Sequence, residues 1–157
     1  EVARRAGVGI GTLYRHFPTR LDLVGSIYVG EVETLTRSAD DLLATEEPLV
    51  ALRRWLERFV DYVATKRGLA GALQELRESG SEVFAHGGAQ VNAALSALLA
   101  AGQAGGEIRP DVEAGDVVRA LGGICMLGER TVPDAKQTRR IIDLLVDGLR
   151  FGAPAGR

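Results

Sequence analysis

The sequence predicts an all-α protein, and three observations carry that prediction. From Leu21 onward apolar residues recur at helical spacing almost throughout the chain. No stretch places alternating β-branched residues between turn signals, as a half-buried strand requires. Helix breaks fall at Pro18, Thr45 to Pro48, Gly68 and Gly102 to Gly106. With 157 residues and 46% hydrophobic content, the chain is long enough to bury a proper core.

The first element is the run ARRAGVGIGTLYRHF, Ala3 to Phe17. Ala3 is small enough for a close helix crossing, Gly7 can take the positive φ of a tight interhelical turn, and Val8 follows as an apolar plug. Leu13 and Phe17, four apart, share one face and can seal a short second helix against a core. The other face offers Thr12, Arg15 and His16, flanked by Gly11 and Tyr14. Such groups reach phosphate oxygens or base edges in a DNA major groove.

Pro18 stops that helix, and Thr19 with Asp22 three residues on forms a near relative of the capping box. Thr19 is then the N-cap and Arg20 the first helical residue, a cation beside free backbone amides and suited to gripping a phosphate. A long linker helix is expected over Arg20 to Ala44. The next, Pro48 to Lys66, places Leu49, Leu52, Leu56, Phe59, Val60 and Val63 on an apolar stripe, with Trp55 and Tyr62 beside it. Further helices are expected over Leu69 to Glu78, Glu82 to Ala101, Val112 to Leu127 and Lys136 to Phe151. The glycines of Gly102 to Gly106 read as a helix stop; no strand precedes them and no Lys-Ser/Thr follows, so they are not a phosphate cradle.

Charge and chemistry narrow the function. Glu1 to Tyr28 carries Arg4, Arg5, Arg15 and Arg20 against Glu1 and Asp22, while the whole chain stands at -2. A basic tip on a slightly acidic body suits a protein that touches DNA through one small module. An enzyme reading fares poorly: the only histidines are His16 and His86, and Cys125 sits in an apolar helical run as a buried, inert thiol would. Adjacent acids such as Asp40 with Asp41 and Glu46 with Glu47 point apart on a helix, unlike a catalytic dyad. No metal-ligand spacing appears, and no cofactor is implied. No apolar run reads as long enough to span a bilayer, and one cysteine fits a reducing, cytoplasmic setting without a disulfide.

The stretch A-x-x-A-G-V-x-x-G-T-L-Y-R-H-F-P-T-R, Ala3 to Arg20, resembles the DNA-binding head of TetR-type (tetracycline-repressor-like) regulators. The family usually has serine where this chain has Gly9 and often lysine at the place of Arg20. Glycine caps a helix start less well than serine, by up to about 1 kcal/mol. The resemblance implies that a first helix precedes Glu1, that residues 1–30 form part of a helix-turn-helix head, and that residues 31–157 form an effector-binding and dimerisation domain. Trp55 to Ala70, WLERFVDYVATKRGLA, resembles a subgroup found in high-GC bacteria.

By that resemblance the partners are an operator in double-stranded DNA, a small-molecule effector and a second copy of the chain, with no membrane. Gly11, Thr12, Tyr14, Arg15, His16 and Arg20 are the expected DNA contacts. Trp55, Phe59, Tyr62, Gln74, Phe84 and Met126 are candidate pocket residues, mixing aromatic bulk with polar tips, although an aromatic at helical spacing ordinarily fills a core. The last two helices have more apolar surface than one small bundle needs. Val117, Val118, Leu121, Ile124, Ile141, Ile142, Leu145 and Leu149 are therefore expected to pair two subunits, and Leu121→Asp to split them. The expected action is repression relieved when an effector moves the linker helix. The alternative is an effector-sensing or scaffolding helical dimer with a vestigial DNA head.

Overall fold

The reciprocal cap expected at Thr19 is present. In the computed structural model, which describes Gly7 and residues 9–80, 82–127 and 135–150, the Thr19 amide donates to Asp22 Oδ2 at 2.9 Å. The Asp22 amide donates to Thr19 Oγ1 at 3.1 Å. With its first amides satisfied, helix α2 (Arg20–Thr45) runs unbroken for 26 residues, about 39 Å at the helical rise. The short α1 (Ile10–His16) precedes it. There follow α3 (Pro48–Gly68), α4 (Ala70–Glu78), α5 (Val83–Ala104), α6 (Ala114–Leu127) and α7 (Ala135–Arg150). The fold is all-α, with no strand among the described residues.

Helix α3 sits at the centre, against α2, α4, α5, α6 and α7. Its sequence explains the position, because it is apolar on more than one side. Leu52, Trp55, Leu56, Phe59, Val60, Tyr62 and Val63 are all buried, and Leu49 is half-buried. Helix α2 presents a single stripe to it, Val24, Tyr28, Val32, Leu35, Ala39 and Leu42, at intervals of three and four. Trp55, fully buried, donates its indole N–H to the Leu35 carbonyl at 3.0 Å, tying the two helices together. Ion pairs from Arg53 to Asp143 and from Arg139 to Glu57 join α3 to α7 at the surface, where such pairs stabilise little.

Element ends fall within three residues of the sequence expectation, and the largest departure has a physical cause. Helix α5 continues through Gly102 to Ala104. A side chain at Gly102 would stand 2.5 Å from Ile108 Cδ1, so glycine is there to admit a close approach and not to break the helix. The reversal comes at Gly106, at φ +71°, after which the amides of Glu107 and Ile108 both donate back to the Gly102 carbonyl. Helix α5 also corrects the membrane reading: by length and composition alone Val83–Ala104 is apolar enough to cross a bilayer. Here Val91, Leu95, Leu98 and Leu99 are buried in the bundle instead.

Candidate DNA-reading head and effector cavity

Gly7 takes φ +68°, the left-handed turn expected before the recognition helix. Gly9 caps α1 without a side-chain acceptor; its carbonyl receives the Thr12 amide at 3.0 Å. Leu13 and Phe17 are half-buried, while Gly11, Thr12, Tyr14, Arg15 and His16 are exposed, so both expected faces exist on this helix. Arg20 is exposed at the first position of α2. Ile10, which the sequence reading passed over, is 67% exposed beside Tyr14 at 61%. Its place at the start of α1, four residues before Tyr14, was the available signal.

The body holds a cavity of about 450 Å³ between α3, α4, α5 and α6. Phe59, Tyr62 and Gln74, all named from sequence, line it, together with Val63, Leu73, Val91 and Val118. Trp55 stands behind the wall, stacked on Phe59 at 5.7 Å and 22°. Phe84 packs instead on Tyr28, 4.7 Å between ring centres, and carries the Arg77 guanidinium 5.3 Å above its own ring. The Met126 side chain lies outside the described residues. Asn92 and the cations Lys66, Arg67 and Arg77 also line the cavity, and sequence reasoning missed them.

Electrostatics inside the cavity favour neutral walls and a strained cation. Burial pushes the Tyr62 phenol well above its ordinary range, reinforced by a hydrogen bond with Tyr28 and by the Glu31 charge, so Tyr62 stays protonated. The Lys66 amine lies 5.8 Å from the ring centres of both Tyr28 and Tyr62. Burial lowers its pKa, and the Arg77 charge lowers it further. Arg67 donates to the Cys125 carbonyl at 3.0 Å. Burial raises the Cys125 thiol against a smaller opposing effect of Arg67, as an unreactive thiol requires. His86 is exposed in the first turn of α5. No group of three or more metal-binding side chains occurs among the described residues.

Of the eight residues expected to pair subunits, Val117, Leu121, Ile142 and Leu149 are buried inside this subunit. Val118, Ile141 and Leu145 are half-buried, and Ile124 is 43% exposed. Leu144, not named from sequence, is 76% exposed on α7.

Comparison with known proteins agrees with this architecture. Residues 1–27 match the family described as bacterial regulatory proteins, tetR family, and residues 47–151 match the transcriptional regulator SbtR-like, C-terminal domain. The chain belongs to the TetR family of transcriptional regulators. A crystal structure of a TetR transcriptional regulator from Streptomyces coelicolor is similar at a TM-score of 0.86 and 44% identity, over 97% of this chain and 86% of that one. A TetR transcription regulatory protein from Mycobacterium vanbaalenii matches at a TM-score of 0.72 and 33% identity, over 96% and 81%. No curated protein matches. The first match ends at residue 27, inside α2, and the second begins at residue 47, just beyond it, so α2 joins the two matched segments.

Proposed function

We propose that this TetR-family chain is a repressor that holds a palindromic operator as a homodimer and releases it when a small molecule fills the α3–α6 cavity. One observation carries the reading. Tyr28, two turns into the helix that Arg20 opens, is in ring contact with Tyr62 of the cavity wall at 6.5 Å. An occupant that moves Tyr62 therefore acts directly on the helix bearing the DNA head. Residues 1–30 serve as head, with Gly11, Thr12, Tyr14, Arg15, His16 and Arg20 toward DNA, and 31–157 as cytoplasmic sensor and dimerisation domain. Two-fold pairing through the α6–α7 face sets the recognition helices one DNA turn apart.

A useful response requires the effector to favour the released conformation by about 1–3 kcal/mol. Run-off transcription from the promoter upstream of the gene tests the direction of control. The full-length protein is expected to suppress the transcript. An unchanged or increased transcript, with the protein bound to that DNA, would overturn the repressor assignment.

A further inference from the structure

The cavity has a charge pattern that its apolar walls do not require. Lys66 comes from the last turn of α3 and Arg77 from the last turn of α4, and Arg67 joins them in the lining. No aspartate or glutamate is part of that lining. Among the described residues neither Lys66 nor Arg77 forms an ion pair. Glu31 bears on Tyr62 and Glu78 accepts from Gln74 Nε2 at 2.8 Å, and neither acid is among the influences on Lys66.

Cations at a helix C-terminus often do no more than complement the helix dipole from solvent. Lys66 is placed differently: it is half-buried, 5.8 Å from the centres of two tyrosine rings, and repelled by Arg77. Arg77 is exposed, but a half-buried cation held beside a like charge and without an ion-pair partner destabilises the empty site. Phe59, Leu73, Val91 and Val118 supply the apolar part of the lining.

We propose that the effector is an amphipathic anion, a carboxylate or similar single-headed acid on an apolar body, held at its head by Lys66 and Arg77 and along its body by Phe59, Leu73, Val91 and Val118. This rests on the reading of the cavity as the effector site. The Lys66 ammonium and the Arg77 guanidinium both donate to the acid group, and binding brings Lys66 back toward its ordinary protonation range. An occupant touching both Lys66 and Tyr62 bears on Tyr28, and so on α2.

The test uses three probes with one body: 4-phenylbutyrate, 4-phenylbutan-1-ol and 4-phenylbutylamine, titrated calorimetrically into the full-length protein at low salt without DNA. The acid is expected to bind at least about tenfold more tightly than the alcohol, about 1.4 kcal/mol, and the amine more weakly than either. Lys66→Met and Arg77→Gln should each remove most of the acid's advantage and leave alcohol binding unchanged. Their circular dichroism establishes folding, and the second variant guards against failure of the first. The proposal is overturned by an alcohol that binds as well as the acid, by an acid preference that survives both substitutions, or by no saturable acid binding at millimolar concentration. Operator binding is measured separately, so a DNA-binding protein that fails this test loses only the effector class.

Discussion

Gly87 and Gly88 are neighbours in α5, yet replacing each by alanine should have different effects. A side chain at Gly87 would stand 2.6 Å from Tyr28 Oη, 3.0 Å from Cε1 and 3.1 Å from Cζ, whereas one at Gly88 meets nothing within 4 Å. Tyr28 has little room to retreat: it is 3% exposed, with the Phe84 ring centre 4.7 Å away and that of Tyr62 6.5 Å away. Overpacking of this kind costs about 1–3 kcal/mol. Relieving a glycine inside a helix returns about 1 kcal/mol at either position. Gly88→Ala is therefore expected to stabilise the protein by up to about 1 kcal/mol, and Gly87→Ala to be about 1–3 kcal/mol less stable than Gly88→Ala. Urea unfolding followed by the fluorescence of Trp55, the only tryptophan in the chain, measures both. Equal midpoints for the two variants would refute the close packing of Tyr28 on α5.

Three further predictions follow from the same geometry. Arg20→Ala should weaken binding to all DNA sequences alike and lower the salt slope by about one, while Thr12→Ala should shift preference at particular bases by about 1–3 kcal/mol; anisotropy titrations across salt and sequence separate the two, and unchanged binding in both contradicts the reading face. Leu144→Asp should yield a folded monomer by light scattering, because Leu144 is 76% exposed, whereas Leu121, 1% exposed, should unfold the subunit when made Asp and not merely split the dimer. A dimer persisting in Leu144→Asp combined with Ile124→Asp refutes that face. Lys66→Met should raise the melting temperature of the ligand-free protein, by about 2–4 °C if the relief is about 1 kcal/mol. Because the folded pKa of Lys66 lies below its unfolded 10.5, the folded state binds fewer protons as pH rises through that lowered value. The cost of the charge is full below that lowered value and fades as pH rises toward 10.5, so the advantage of Lys66→Met should shrink as the solution is made alkaline; an advantage that grows with pH contradicts the burial argument.

Local signals in the sequence were legible because neighbours in the chain make them. Thr19 and Asp22 cap one helix three residues apart, Gly7 supplies its own positive φ, and Pro48 opens α3. Those features placed nearly every element. Contacts between distant residues were not legible. Gly87 pairs with Tyr28 across 59 positions, and Gly102 admits Ile108, so both glycines look in sequence like weak points in a helix. Lys66 and Arg67 close α3 where cations usually serve the helix dipole, and nothing local says that α4 brings Arg77 beside them. Trp55 carried aromatic bulk and a polar tip, the marks of a pocket residue, but its N–H is used by the Leu35 carbonyl inside the core. On α7, Leu144 and Leu145 are adjacent in an apolar run, and only packing shows which faces outward.

The central claim, that a small head on this helical body reads DNA, is tested most directly by anisotropy of labelled duplexes with the full-length protein at near-physiological salt. The DNA upstream of its own gene is compared with a scrambled duplex of the same length. The account predicts nanomolar, saturable binding to the native duplex, at least about a thousandfold tighter than to the scrambled one. Weak binding to both, equally and steeply dependent on salt, would contradict it.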